Sequence, residues 1–163
     1  MFQAGRSVDA MALNLDIAPT LLEIAGVKTP GTMHGASLVP LLDGRTPENW
    51  RKDFVYEYEW EQDYPYTPTI TGLRTSQHSL AQFYGIWDVA ELYDIRKDPE
   101  QMRNLLAPYR ITSGRGRYTT LIQDAELRAL VTGMQKRLAE ILQTTGGDPR
   151  LAGLGNEGDK FAL

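Results

Sequence analysis

The clearest periodic signal in the chain begins after residue 52, where aromatic and acidic side chains alternate. Every second position is aromatic, at Phe54, Tyr56, Tyr58 and Trp60. Most positions between them are carboxylates, at Glu57, Glu59 and Glu61. A period of two is that of a half-buried strand, because successive side chains of a strand point to opposite faces. The pattern predicts a strand whose aromatic face must be covered by another element.

Three further segments have the composition of short strands and follow each other closely. They cover residues 69–75, 79–84 and 91–95, and a tight turn at residues 76–78 joins the first two. Links of this length do not accommodate the helical crossovers that parallel strands need. The spacing therefore predicts a four-stranded antiparallel sheet.

A helical period replaces the strand period near the end of the chain. Apolar residues recur three and four positions apart, at Leu127, Leu130, Val131, Met134, Leu138, Ile141 and Leu142. Thr120 and Gln123 have the spacing of a capping box, which predicts a helix from there to about Thr144. Gly133 weakens this helix by ~1 kcal/mol relative to alanine without breaking it. We expect the helix to cover the aromatic face, so that the fold class is α+β, with the four-stranded antiparallel sheet packed on a long C-terminal amphipathic helix.

Two shorter helices are predicted outside this pair. Asp16 is placed as the N-cap of a helix that ends at Ala25, and Gly26 supplies a left-handed stop. Residues 27–48 are rich in proline and glycine, so we expect a connector in which residues 37–42 form at most one helical turn. A turn at residues 97–100 is expected to open another short helix that ends near Leu106.

Composition excludes several classes of function. The hydrophobic fraction of 42% and the charged fraction of 23% are ordinary for a globular domain. A net charge of −4 argues against a nucleic-acid partner. No run of ~18 apolar residues is present, so we expect no membrane span. The absence of cysteine excludes disulfides and thiolate metal sites.

Four motifs occur in a fixed order and carry more information than composition does. They are NLDIAPTLLEIAG at 14–26, HGASLVPLLDG at 34–44, LRT at 73–75, and ELYDIRKDPE at 91–100 followed by NL at 104–105. Together they resemble the C-terminal third of the formylglycine-dependent, arylsulfatase-like sulfatases of the alkaline phosphatase superfamily, over roughly residues 5–145. One such motif alone is weak evidence, but four in the same order make coincidence improbable.

The resemblance implies a domain organisation and a role. Residues 1–48 correspond to the end of the sulfatase α/β catalytic domain plus a connector, residues 49–145 to the C-terminal α+β subdomain, and residues 146–163 to a flexible tail. In the whole enzyme, a sulfuric ester hydrolase, this region closes the active-site cleft and shapes the choice of substrate. That substrate is a sulfated small molecule or a sulfated sugar, and the missing N-terminal catalytic domain is the main partner.

The resemblance also implies where the chemistry resides. Family members convert the Cys or Ser of a C/S-x-P-x-R motif to formylglycine and bind a divalent cation, usually calcium. This chain has no cysteine, and its nearest stretch, Ser37 to Pro40, lacks both the spacing and the arginine. We therefore assign no catalytic residue, no metal ligand and no cofactor to this chain, and expect it to be inactive by itself.

Two residues are candidates for contact with the substrate across the domain boundary. His78 lies at the turn before the third strand, and Arg74 belongs to the LRT motif. The competing interpretations are an exposed turn histidine and an arginine paired with a carboxylate or carbonyl inside the fold, and we favour these structural roles.

Other polar and aromatic residues are interpreted as structural. Glu57, Glu59, Glu61 and Asp63 diverge along a strand instead of converging on a calcium ion. His34 is expected to be a connector residue, and Arg115 and Arg117 to belong to a solvated basic loop. The aromatic stripe from Phe54 to Trp60 is expected to be core and not a sugar platform.

Two alternative functions remain open from sequence. The first is a phosphonate or phosphodiester hydrolase of the same superfamily, which shares the scaffold. The second is a free-standing, non-catalytic binding module. The helix at residues 16–25 discriminates between the second alternative and a sulfatase fragment, because Leu21, Leu22 and Ile24 have no evident partner within the chain.

Overall fold

The computed structural model describes residue 5 and residues 7–84, 90–109 and 118–153. The chain separates into two compact units, Met1–Lys52 and Asp53–Leu163. Within the described residues, no helix has both the length and the apolar composition needed to cross a membrane.

The first unit contains two short helices. A 3₁₀ turn at Asn14–Asp16 leads into α1, Ile17–Ile24, and α2 is the single turn Val39–Leu42. Gly26 has φ 71° and ends α1 in the left-handed conformation, as the sequence predicts. Helix α1 buries Pro19 and Thr20, whereas three apolar residues stay more than half exposed, Ile17, Leu21 and Ile24.

The second unit is built on a four-stranded antiparallel sheet, which confirms the fold predicted from sequence. Its strands are β1, Asp53–Tyr58; β2, Thr69–Thr75; β3, His78–Tyr84; and β4, Ala90–Asp94. They lie in the order β1-β2-β3-β4, each paired with its sequence neighbour. The connection between β3 and β4, residues 85–89, lies outside the described residues.

The core lies on one face of this sheet. Leu73, Leu80 and Leu92 occupy directly opposite positions on β2, β3 and β4 and are almost completely buried. Helix α3, Ala125–Thr145, packs against them through its own buried apolar residues, Val131, Met134, Leu138 and Leu142. Each such leucine contributes about 2–5 kcal/mol relative to alanine.

The aromatic stripe does not face this helix, which corrects the sequence prediction. Val55 of β1 is paired with Leu73 and packs on the core, so Phe54, Tyr56 and Tyr58 point to the opposite face. Tyr56 is 53% exposed. The physical reason is that β1 is an edge strand. The helix packs where the leucines of the central strands offer the larger apolar surface, and the edge strand follows its neighbours in register.

The predicted start of α3 is also corrected. Helix α3 begins at Ala125, where the Asp124 carboxylate accepts the amides of Glu126 and Leu127, and not at a Thr120–Gln123 capping box. Thr120 belongs to a 3₁₀ turn at Tyr118–Leu121.

No helix forms between residue 100 and Leu106, contrary to prediction. The Asp98 carboxylate accepts the amides of Met102 and Arg103, and Gln101 takes a positive φ of 54°. These features form a compact loop, because a left-handed residue at 101 interrupts helical hydrogen bonding. A 3₁₀ turn, Ala107–Tyr109, follows.

Part of the expected flexible tail is packed into the core. Residues Pro149–Ala152 form a 3₁₀ turn whose Ala152 is completely buried. The Leu151 carbonyl accepts hydrogen bonds from three side chains of the sheet, those of Thr71, Gln82 and Tyr84. Residues 154–163 lie outside the described residues.

Candidate functional site

The first motif forms a buried polar cluster around Asp16, which is completely inaccessible to solvent. Its carboxylate accepts the backbone amides of Leu13 at 2.8 Å and Ala36 at 2.9 Å. Both terminal nitrogens of Arg51 also donate to it, Nη2 at 2.6 Å to Oδ1 and Nη1 to Oδ2. Asp16 therefore joins the start of α1 to the connector and to the end of the first unit, and we call this set of contacts the Asp16 cluster.

Thr20 and Gly35 complete the Asp16 cluster. The Thr20 hydroxyl donates to the Asp16 carbonyl at 2.6 Å and accepts the Leu38 amide at 2.8 Å. Gly35 packs directly on the backbone of Leu15, and a Cβ at residue 35 would collide with the Leu15 carbonyl. The D-x-x-P-T and H-G-x-S motifs are thus the two sides of one contact between helix and connector.

The electrostatics of Asp16 follow from this geometry. Burial alone would raise the pKa of the Asp16 carboxyl, but the hydrogen bonds from Arg51, Ala36 and Leu13 outweigh it and lower the pKa below 3.8. A carboxylate with its acceptor positions occupied and a lowered pKa is a poor proton acceptor. Its role is structural.

A cleft of about 420 Å³ lies beside the cluster, within the first unit. Its lining includes His34, Ser37, Asn49, Trp50 and Arg51. The Trp50 indole donates to the Met11 carbonyl, and the Arg51 guanidinium stacks over the Trp50 ring at 5.2 Å from its centroid. The Ser37 hydroxyl accepts the amide of Val39, the first residue of α2.

The last motif forms a second structural cluster at the edge of the sheet. The Asp94 carboxylate accepts the amides of Arg96 and Lys97, which closes the turn after β4. The Asn104 side chain accepts the amides of Leu92 and Leu106 and donates to the Ala90 carbonyl. Leu105 then donates its amide to the Leu92 carbonyl, so the segment after the turn lies along the outer edge of β4.

The pKa of the Asp94 carboxyl reflects its hydrogen bonds in this turn. Although burial acts in the opposite direction, the hydrogen bonds from Lys97 lower the pKa of the Asp94 carboxyl. Asp94 is thus a turn residue. The Asp98 carboxylate likewise holds a loop, and the helix expected after residues 97–100 does not form there.

The two candidate substrate contacts, Arg74 and His78, point in opposite directions. Arg74 is paired in register with Phe54 and Ser79, on the face away from α3. His78 precedes Ser79 on the same strand, so its side chain points to the helix side. Both are half-buried. No described residue of the second unit offers the Arg74 side chain a hydrogen bond or an ion pair, so the internal pairing we favoured from sequence is not found there.

The described residues do not fit a divalent cation. Among them, no group of three or more His, Asp or Glu side chains converges as metal ligands would. Glu57, Glu59 and Glu61 are exposed to solvent, although Glu57 lies on the same face of β1 as Val55, the helix side, and not on the face away from the helix as the sequence predicts. Arg115 and Arg117 lie outside the described residues.

Sequence reasoning missed Arg51 and Asn104. Asp16 was identified by its motif, but a buried carboxylate requires a cation, and the sequence offers no spacing rule that selects Arg51 from 35 residues away. Asn104 was part of a recognised motif, yet its role as a bridge between β4 and the following loop depends on the three-dimensional path of residues 95–103.

Comparison with known families agrees with the motifs. The pattern of a family described as N-sulphoglucosamine sulphohydrolase, C-terminal, matches residues 1–126 of this chain. The chain belongs to this family of sulfatase C-terminal regions. The resemblance to sulfatases derived from the four motifs is thereby confirmed.

Individual relatives support the same assignment. The N-acetylglucosamine-6-O-sulfatase of Bacteroides thetaiotaomicron is 36% identical over 140 residues, which cover 83% of this chain and 23% of that relative. A solved structure, of a protein in complex with its substrate D-glucosamine-2-N,6-O-disulfate, is 30% identical with a TM-score of 0.72, and the match covers 91% of this chain and 27% of that one.

A third likeness concerns the fold alone. The phosphonate monoester hydrolase of Agrobacterium radiobacter is 24% identical with a TM-score of 0.64, and the match covers 87% of this chain and 27% of that one. The chain thus spans about a quarter of the length of the proteins that it matches.

Proposed function

We propose that this chain acts as the C-terminal part of a sulfatase that hydrolyses a sulfated sugar, where it closes the active-site cleft and takes no part in bond breaking. One observation carries the proposal. Four polar side chains of its signature motifs make internal hydrogen bonds, which suits a scaffold better than a reaction: Asp16, Thr20, Asp94 and Asn104.

The assignment of the reaction to the catalytic domain, and of a structural role to this chain, follows from the chemistry of sulfate esters. Their hydrolysis develops negative charge on oxygens that only cations and donors stabilise. In the parent enzyme, formylglycine and a divalent cation such as calcium would supply the nucleophile and part of this charge. The described residues of this chain do not fit the cation, so we place both groups on the catalytic domain, the partner of this chain.

The ligand class is inferred from the relatives. The names of two of them specify sulfate groups on glucosamine or N-acetylglucosamine, which favours a sulfated amino sugar over an aryl sulfate. Arg74 and His78 remain our candidate contacts to that sugar.

A domain exchange tests the proposal. The C-terminal quarter of the Bacteroides N-acetylglucosamine-6-O-sulfatase is replaced by residues 1–163 of this chain, and sulfate release from N-acetylglucosamine 6-sulfate is measured. We expect the chimera to retain sulfatase activity with an altered KM, the relative truncated at the same point to lose activity, and this chain alone to release no sulfate above a heat-treated sample. A soluble, folded chimera without activity, or turnover by this chain alone, contradicts the proposal.

The same chimera addresses the phosphonate alternative. The likeness to a phosphonate monoester hydrolase rests on fold. If the exchange moves activity from the sulfate ester to a phenyl phosphonate monoester, that alternative is favoured.

A further inference from the structure

The side of the sheet that faces α3 changes from apolar to polar between two neighbouring rows. Leu73 and Leu80 are paired across β2 and β3 and belong to the core. Two residues along each strand, Thr71 is paired with Gln82 on the same side of the sheet, and both are almost completely buried. Helix α3 contributes the buried Gln135, whose Nε2 donates to Oε1 of Gln82 at 2.9 Å. A polar layer therefore lies next to the leucines inside the second unit.

The segment after α3 supplies hydrogen-bond acceptors to this polar layer. Residues 148–153, here called the strap, place the Leu151 carbonyl against the sheet. This carbonyl accepts from Thr71 Oγ1 at 2.6 Å, from Gln82 Nε2 at 3.2 Å and from the Tyr84 hydroxyl. Buried polar groups without partners destabilise a fold, so the strap completes the second unit.

The close approach of the strap depends on its last glycine. The Gly153 carbonyl lies 3.4 Å from Nε2 of Gln135, which donates to it. Gly153 has φ 74°, and a Cβ there would collide with the side-chain amides of Gln82 and Gln135. Ala152 beside it is completely buried. The strap is thus packed into the second unit and does not lie loosely on its surface.

Two glycines join the strap to α3, and the strap has its own internal hydrogen bonds. Gly146 ends α3 at φ 87°, and the amide of Gly147 donates to the Leu142 carbonyl at 3.0 Å. Asp148 begins the strap, and its carboxylate accepts from both the backbone amide and the guanidinium of Arg150. Glycine changes its backbone conformation at low steric cost. Because these internal bonds do not involve the sheet, the strap is able to move about the two glycines as one body.

Few apolar contacts hold the strap in place, in contrast to the sheet and α3. Ala152 is its one fully buried apolar residue, and Leu151 is half-buried. The side chains of Thr71 and Gln82 that it covers are polar, and they would exchange a protein hydrogen bond for one to water if the strap left. Such an exchange costs little net free energy, whereas exposing the core leucines costs the full hydrophobic contribution. The strap therefore belongs to the part of the unit that opens most readily.

We propose that the strap opens and closes reversibly as one unit, moving about Gly146 and Gly147 while the sheet and α3 stay folded. In the open form the polar layer meets water, and the peptide bond after Arg150 becomes accessible to a protease. The inference concerns a conformational change within the second unit and does not depend on the proposed function.

Native-state hydrogen exchange of the full chain, followed by NMR at increasing low concentrations of urea, tests this motion. The probes are the side-chain amides of Gln82 and Gln135, which donate to the strap carbonyls of Leu151 and Gly153. We expect both amides to report the same opening constant, larger than that of the main-chain amides of β2 and β3. This constant should depend little on urea, because opening the strap exposes little surface.

One substitution in the sheet and one control in the helix separate the strap from the rest of the unit. Thr71→Val removes a donor to the Leu151 carbonyl, so the opening constant of the strap should rise about tenfold. The exchange of the β3 main chain should change far less. Thr144→Val is the matched control, because that hydroxyl donates to carbonyls within α3, and it should leave the opening constant unchanged.

Cleavage by trypsin after Arg150 gives an independent measure, since the protease needs the strap in its open form. Thr71→Val should speed this cleavage by the same factor as the exchange. Three results would overturn the proposal. They are side-chain amides of Gln82 and Gln135 that exchange only together with the main chain of β2 and β3, side-chain amides that exchange as fast as exposed ones, and a Thr71→Val variant in which the opening constants of strap and sheet rise equally.

Discussion

A buried aspartate in a hydrolase relative invites a catalytic interpretation, and Asp16 shows why the hydrogen bonds must be counted first. Two backbone amides and both terminal nitrogens of Arg51 donate to its carboxylate. Because those donors come from three separate segments, the residue acts as a cross-link within the first unit.

Replacing Asp16 by asparagine should destabilise the first unit by about 3 kcal/mol, because Arg51 would lose its counter-charge while 16% exposed. Urea unfolding followed at the Trp50 indole resonance measures this. The matched control is Asp43→Asn, because the ion pair of Asp43 with Arg45 is solvent-exposed. This variant should change the free energy of unfolding by less than about 0.5 kcal/mol.

The lowered pKa of Asp16 gives the same cross-link a pH dependence. A carboxyl with a depressed folded-state pKa stabilises the fold above its ordinary value of 3.8, and this stability is lost as the pH falls through the lower, folded-state pKa. We expect the stability difference between the unchanged chain and Asp16→Asn to shrink below about pH 4. A difference that stays constant far into the acid range would contradict the ionised cross-link.

At this scale the sequence predicts which residues matter better than it predicts what they contact. Asp16 and Asn104 both lie in motifs that are recognisable without coordinates. Partners of their side chains, such as Arg51 and Leu92, come from other segments of the chain and do not follow from local pattern.

At the scale of secondary-structure elements, some features are fixed by the local sequence and others by tertiary packing. Strand β2 and the end of α1 are confirmed, because turn residues and glycine fix them locally. The face of β1 is predicted wrongly, because an edge strand takes its orientation from the leucines of its neighbours. Helix α3 starts at Ala125 and not at the Thr120–Gln123 capping box, because Asp124 is the better N-cap, a local signal that the capping-box spacing obscured.

Gly133 within α3 and Gly146 at its C-terminal end should respond to alanine in opposite ways. Gly133 lies within the helix, and no atom outside the local helix backbone comes within 4 Å of the place that an alanine Cβ would take, so Gly133→Ala should stabilise the second unit by about 1 kcal/mol. Gly146 ends the helix at φ 87°, so Gly146→Ala should destabilise it by about 1 kcal/mol. Thermal unfolding of both variants checks the pair, and a shift of the same sign in both would contradict the end assigned to α3.

The whole molecule carries an apolar surface that its own first unit does not cover. Ile17, Leu21 and Ile24 follow one another at helical spacing on α1 and are 55%, 60% and 57% exposed. A stripe of this kind on a chain that spans about a quarter of its relatives fits a fragment better than a free-standing module.

The isolated chain should therefore bind a hydrophobic dye such as ANS and associate at high concentration. Replacing both Leu21 and Ile24 by glutamate should remove most of the dye signal, whereas Leu121→Glu, at an exposed position of the second unit, should change it little. Fluorescence titration and light scattering are the measurements. A chain that stays monomeric and does not bind the dye would favour the binding-module alternative.

The two edges of the sheet differ in how accessible they are to a further strand, because Asn104 and Leu105 contact β4. The outer side of β4 already receives a main-chain hydrogen bond from the segment that follows it, so an incoming peptide would have to displace that segment. In the described part of the second unit, β1 has a strand partner on one side only. Any strand that extends this sheet, from another polypeptide or in a misassembled aggregate, should therefore add beside Asp53–Tyr58.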